Sequence, residues 1–223
     1  HRAIPDEKPP LAHITSIETT EQSLGSFPDF AIQKSEAQDQ RRTLISPDVC
    51  VCQDCLNEMF DTNDRRFGYP FINCTNCGPR YTIIDDIPYD RPATSMKHFA
   101  LCDRCRSEYD DPMNRRFHAQ PNACAHCGPR VALFDNRRRP VEGSDPIEKA
   151  AELLKQGHIV AIKGLGGFHL AVDAENEDAV GRLRRRKGRE EKPFAVMCLD
   201  PDAVRRYAHI DSPDEKLVTS RRR

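Results

Sequence analysis

No stretch of this 223-residue sequence approaches 18 consecutive apolar residues, so no membrane-spanning helix is expected. It has no basic, apolar, small-residue leader, so nothing points to an oxidising compartment. It also lacks an excess of either charge: the formal net charge is −1, which argues against a binder that attracts nucleic acid or membrane with its whole surface. Apolar residues are scarce for a globular chain, 38% against 31% charged, which predicts small domains with modest cores. The chain opens on His1 and closes on Arg221-Arg222-Arg223 without a finishing element, and is expected to be part of something longer.

What the sequence does have is cysteine. Eight of its ten cysteines form four C-x-x-C pairs: Cys52/Cys55, Cys74/Cys77, Cys102/Cys105 and Cys124/Cys127. Each half reads C-x2-C-x18-C-x2-C, a spacing that suits four-cysteine zinc sites. The halves repeat at an offset of 50 residues, and the match extends beyond the cysteines. Glu58 falls on Glu108, Asp61 on Asp111, Arg65-Arg66-Phe67 on Arg115-Arg116-Phe117, and Gly78-Pro79-Arg80 on Gly128-Pro129-Arg130.

Two thiolates two residues apart can bend onto one cation, and two such knuckles complete a tetrahedron with no open position. The expected role is structural, with two zinc ions whose binding energy acts as folding energy. Whether each ion takes one contiguous half or the pairs interleave is left open by spacing. Disulfides, an iron–sulfur cluster and a redox C-x-x-C are the competing readings; duplication, regular spacing and the missing βαβ context weigh against them. His118 and His126 are not expected as ligands. Cys50, which faces Ala100 in the repeat, reads as a bystander, and Cys198 as a small buried hydrophobe.

Along the chain, residues 1–34 suggest one or two strands, 35–47 a polar linker, and 48–130 the tandem fingers, 52–77 and 102–127. Arg130 to Phe134 reads as a strand followed by a turn. From residue 143 the pattern changes. Asp145, Pro146 and Glu148 predict a capped helix with a capping box, ended by Gly157. Strands are expected from His158 to Lys163, Phe168 to Val172 and Pro193 to Cys198. Helices are expected from about 177 to 187, capped by Asn176, and after Asp200-Pro201. The fold class is α+β: tandem four-cysteine fingers, then an incomplete α/β sheet domain.

Two features of the last domain suit phosphate. Lys163 ends a strand and is followed by Gly164, Gly166 and Gly167, whose amides could approach an anion; neither G-K-[ST] nor G-x-G-x-x-G is present. Arg182 to Lys192 holds seven basic residues against two acidic, and Lys187, Arg189 and Lys192 could converge with Lys163.

Several strings together resemble a known family. Cys52-Gln53-Asp54-Cys55, Tyr69 to Ile83, Pro88-Tyr89-Asp90-Arg91-Pro92 and Arg115 to Pro121 resemble the paired zinc fingers of the HypF carbamoyltransferases, maturation factors of nickel–iron hydrogenases. Lys163 to Leu170 and Lys192 to Met197 resemble their YrdC-like nucleotide-binding domain, and residues 1–34 the last strands of their acylphosphatase-like domain. The resemblance implies zinc ligation by Cys52, Cys55, Cys74, Cys77, Cys102, Cys105, Cys124 and Cys127. It implies contacts to ATP (with Mg²⁺) and carbamoyl phosphate from Lys163, Gly164, Gly166, Gly167, Lys187, Arg189 and Lys192. It implies formation of carbamoyl-AMP, transfer of the carbamoyl group to the C-terminal cysteine of a HypE-type partner, a cytoplasmic setting, and an affinity of the YrdC-like domain for double-stranded RNA. The acylphosphatase phosphate-binding signature and the C-terminal histidine motif are absent, so this stretch alone is expected to be inactive. The other two readings are a threonylcarbamoyl-AMP synthase of tRNA modification, which usually lacks duplicated fingers, and a non-enzymatic zinc module contacting nucleic acid through Arg65-Arg66, Arg115-Arg116 and Arg182 to Lys192.

Overall fold

The computed structural model describes residues 3–8, 12, 14–21, 23, 25, 47–164 and 166–220. The chain divides into two compact units that meet in sequence at Pro129 and Arg130.

Among the described residues of 1–34 there is one helical turn, α1 (Ala3–Asp6), and no strand. The strands expected there do not form at residues 14–21. Leu11 and His13 lie outside the described residues, as does most of the expected linker.

The tandem fingers make up the rest of the first unit. Each starts with a two-turn helix, α2 (Gln53–Phe60) or α3 (Asp103–Asp110), set off by the 50-residue repeat. The first cysteine of each half is the N-cap residue, and the second sits in the first turn. Asp61 and Asp111 end the helices in extended geometry. The chain then returns, and the amides of Gly68 and His118 donate to the carbonyls of Met59 and Tyr109. This return needs a left-handed residue. The first copy supplies Gly68 at φ 65°, the second His118 at φ 49°, and the His118 ring stacks on Tyr109 at 4.9 Å.

The core of this unit is built on sulfur. Cys52, Cys55, Cys74 and Cys77 are buried with Tyr69, Ile72, Met96 and Ala123, and Val51, Met59, Ile83 and Phe99 pack around them. Met96 comes from the stretch between the copies, where single 3-10 turns at Arg91–Ala93 and Ser95–His98 follow one another. Arg91 fixes this stretch to the second finger by donating to the carbonyls of Gln120 at 2.6 Å and Asn122 at 2.9 Å, and closes the stretch on itself through the Phe99 carbonyl at 2.7 Å.

The second unit contains α4 (Pro146–Lys155), the antiparallel hairpin β1 (Val160–Lys163) and β2 (Phe168–Ala171), α5 (Glu177–Lys187), α6 (Pro201–Arg205) and α7 (Ser212–Val218). Asp145 accepts from the Ile147 and Glu148 amides, and Asn176 from the Ala179 amide, so both expected caps form. The reciprocal Glu148 bond of a capping box does not. Gly157, at φ 78°, lets the chain leave α4 and turn into β1. Arg182 of α5 donates to the Gly157 carbonyl, and Ala179 and Leu183 are buried.

Two expected strands are absent. Residues 130–134 form only an isolated bridge, Phe134 to Pro140. Pro193 to Cys198 makes no ladder; at its start Arg184 and Arg189 donate to the Lys192 carbonyl and Arg189 to that of Pro193. Cys198 is accordingly half-buried rather than buried. Among the described residues no helix is long and apolar enough to cross a membrane.

Candidate metal centres and the glycine-rich hairpin

The structure brings each contiguous half together, and the pairs do not interleave. The sulfurs of Cys52, Cys55, Cys74 and Cys77 all lie within 4.8 Å of one another, as do those of Cys102, Cys105, Cys124 and Cys127. Four sulfurs at the ~2.3 Å zinc–thiolate distance would stand roughly 3.8 Å apart in a tetrahedron. The observed separations are 3.5 Å for Cys52–Cys74, 3.9 Å for Cys74–Cys77, 3.9 Å for Cys102–Cys124 and 3.8 Å for Cys124–Cys127. The donor sets therefore fit zinc. No histidine joins either cluster, and Cys50 stays outside.

The local fold favours negative charge on some of these sulfurs and opposes it on others. The Cys52 amide donates to Cys77 Sγ at 3.3 Å. Bonds from Cys55 and Cys74 and this amide pull the Cys77 thiol down to about 3, while bonds to Cys74 and Cys77 and burial push Cys55 far up. In the second cluster burial opposes ionisation of Cys124, but the Cys127 and His126 amides outweigh it and bring the thiol down to about 7; burial drives Cys105 up to about 12. Crowded sulfurs that divide protons so unevenly are a donor set a divalent cation would level, displacing the remaining protons.

Around the clusters runs a network that crosses between copies. Arg65 Nη2 donates to Cys105 Sγ at 3.0 Å and to Glu108 at 2.8 Å. Arg115 mirrors it, donating to Cys55 Sγ at 3.1 Å and pairing with Glu58 at 2.5 Å. Arg66, 2% exposed, bonds Glu108, Asn122 Oδ1 at 3.0 Å and the Ala123 carbonyl at 2.9 Å. Arg116 bonds Glu58 and the Asn73 carbonyl at 3.1 Å. An Arg116–Glu108 contact at 3.9 Å joins the two halves into one continuous network. Burial alone would raise the Glu108 carboxyl, but Arg66, Arg65 and Arg116 outweigh it and hold it at about 2. Glu58 is likewise lowered against burial by Arg116 and Arg115. The Arg65-Arg66 and Arg115-Arg116 pairs, read as candidate nucleic-acid contacts, are thus engaged inside the protein. The signal that marks them in the sequence is that charged residues recur where only cysteines need to.

Gly128 matters for a different reason than Gly78. Gly78 sits at φ 71°. At Gly128 a Cβ would stand 2.2 Å from Tyr69 Oη and 2.5 Å from the Ala123 Cβ.

In the second unit Lys163 and the glycines share one turn. Lys163 pairs with Phe168 across the hairpin, its Nζ 5.4 Å from the Phe168 ring, and the Gly164 amide donates to the Gly167 carbonyl at 2.7 Å. Nothing stands within 4 Å of a Cβ built at Gly166 or Gly167, so the turn is open on that side. Lys187 ends α5, and left-handed Gly188 caps it. Arg189 folds back on the carbonyls of Lys192 and Pro193 and on the Phe194 ring, which Arg184 covers at 4.6 Å.

Comparison with known proteins assigns these parts. The HypF finger model matches residues 51–84 and again 101–134, and a model described as Telomere recombination, of the Sua5/YrdC type, matches 152–223. Carbamoyltransferase HypF2 of Cupriavidus necator is 52% identical over 97% of this chain, and a probable carbamoyltransferase HypF of Methanocaldococcus jannaschii 49% identical over 98%. The chain belongs to the HypF family. It spans 27% and 29% of the length of those two relatives. A full-length HypF solved in a phosphate- and nucleotide-bound form is 49% identical over 99% of this chain, with a TM-score of 0.86, and the chain covers 29% of it. HypF of T. kodakarensis gives 50% identity over 100% and a TM-score of 0.87, with 28% of that chain covered. Two four-cysteine fingers followed by a YrdC-like domain are therefore the architecture of this stretch.

Proposed function

We propose that this chain is the finger region and the front of the YrdC-like domain of a HypF carbamoyltransferase, in which carbamoyl phosphate and ATP yield carbamoyl-AMP. What carries the reading is identity near 50% across almost the whole chain to proteins named carbamoyltransferases. In this scheme carbamoyl phosphate is hydrolysed to carbamate and phosphate. A carbamate oxygen attacks the α-phosphorus of ATP, the α–β phosphoanhydride breaks, and pyrophosphate leaves. The carbamoyl group then passes to the C-terminal cysteine thiol of a HypE-type partner, releasing AMP.

The eight cysteines would hold two structural zinc ions, leaving no ligand position for substrate. Lys163 and the open turn at Gly164, Gly166 and Gly167 would bind polyphosphate, with Mg²⁺ accompanying the nucleotide. Lys187 and Lys192 are the remaining cations for that site, and Arg189 would have to leave its carbonyls to join them. Since the chain spans little more than a quarter of its relatives, it is expected to be inactive alone.

The test is ATP–pyrophosphate exchange by the whole protein. It should require carbamoyl phosphate and fall at least ~10-fold in Lys163→Ala, the loss of a charge-assisted phosphate contact. Exchange driven by threonine and bicarbonate would instead indicate the tRNA-modifying synthase. Salt-sensitive RNA or DNA binding without exchange would favour the nucleic-acid module. Native mass spectrometry should find two zinc ions per chain at saturation, one for each sulfur cluster.

A further inference from the structure

The reciprocal arginines bear on how metal is loaded. A zinc ion with four thiolates bears a net charge of −2, and a largely buried charge of that size needs compensation nearby. Here it comes from across the repeat. Arg65 and Arg66 of the first copy donate to Cys105 Sγ of the second cluster, and Arg115 of the second copy donates to Cys55 Sγ of the first, while Arg116 beside it engages Glu58 and the Asn73 carbonyl. Each copy also receives a carbonyl contact from the other copy's buried arginine, at Ala123 and Asn73. The Thr75 amide adds a third link, donating to the Arg115 carbonyl at 3.0 Å.

We infer that the two metal sites load as one positively cooperative unit, coupled through Arg65 and Arg115, which act as positioning residues for the thiolates of the opposite site. A copy that is folded on its metal holds its arginine pair in place against the other cluster. A copy that has not folded withdraws that pair, leaving the other set of thiolates poorly compensated and its metal weakly held. The coupling is reciprocal by linkage, and both directions run through the same network of Arg65, Arg66, Glu108, Arg116, Glu58 and Arg115. The inference rests on zinc being the occupant of both clusters.

The experiment is a zinc titration of the stripped full-length protein, read as the distribution of zero-, one- and two-metal chains by native mass spectrometry. Two equal independent sites give about one half one-metal chains at half loading; a coupling of about tenfold lowers this to about a quarter. A fraction below one half is expected, and one half or more overturns the inference. In the pair Arg65→Gln with Arg115→Gln, all eight cysteines remain and the one-metal fraction should rise to about one half or above. A wild-type fraction in that variant overturns the role of these arginines. Should it not fold by circular dichroism, Arg65→Lys with Arg115→Lys replaces it, keeping the charge but not the fork that spans sulfur and carboxylate. Its one-metal fraction should also rise, and an unchanged fraction overturns the inference. The end point separates the two ideas: saturation short of two metals refutes the zinc reading, whereas the distribution before saturation tests the coupling.

Discussion

The two fingers have the same ligand spacing, helix and arginine pair, yet they do not sit equally deep. All four sulfurs of the first are buried, with Cys52 at 4% exposure and the other three at 0%. In the second, Cys105 and Cys124 are buried but Cys102 and Cys127 are only half-buried. The cause lies outside the repeat. The stretch between the copies lays Met96, Ile83 and Phe99 over the first cluster. Depth in a zinc finger is thus set by the chain beyond the knuckles, while the knuckles themselves set only the tetrahedron.

The largest effect that probes this difference is metal removal. Chelation of the loaded protein should unfold the finger region, since each structural site contributes on the order of 10–16 kcal/mol. The helices α4 and α5 should persist in circular dichroism. In sub-stoichiometric alkylation of the loaded protein, peptide mapping should find Cys102 and Cys127 labelled before Cys55, Cys74 or Cys77, alongside Cys50 and Cys198, which belong to no cluster. Equal labelling of the two clusters would remove the distinction.

Next come the buried arginines. Arg66→Ala should destabilise the finger region by about 3–5 kcal/mol in denaturant melts, because it strips Glu108 of a buried partner. Arg116→Ala should cost less, since Arg66 also holds Asn122 while Arg116 has no counterpart bond to an asparagine side chain. Gly128→Ala should cost about 1–3 kcal/mol through its collision with Tyr69 and Ala123, whose Cβ is fixed by backbone. The smallest change is His118→Gly, which copies Gly68. It relieves a φ of 49° but removes the stack on Tyr109, and thermal stability should move by less than ~1 kcal/mol.

Much of this was legible in the residues. The eight cysteines that cluster, the repeat, the caps at Asp145 and Asn176, and the hairpin around the glycines all depend on local spacing, which a sequence displays. The pairing of knuckles was not legible, because spacing allows either closure and only the folded chain brings each half together. The arginines were visible as a repeat but their destination was not. Crossing contacts between positions 40 to 60 residues apart leave no periodic trace. The strand expected at Pro193 to Cys198 failed for a related reason. Its apolar run suits a ladder, but Arg184 and Arg189 tie the entry to it, at the Lys192 and Pro193 carbonyls, back to the end of α5. In the candidate nucleotide site, charge alone suggested convergence of the cations, and it could not anticipate that Arg189 has carbonyl partners of its own.

The crossed arginines also have the pattern of an isologous dimer interface, in which position i of one copy meets position j of the other and the reverse. A gene encoding a single such finger would leave Arg65 and its carboxylate partner unmatched unless two chains came together. Joining two copies in tandem turns that association into an intramolecular one, independent of concentration. Once fused, the halves are free to diverge, and the unequal covering of the two sulfur clusters is what that freedom looks like in the folded chain.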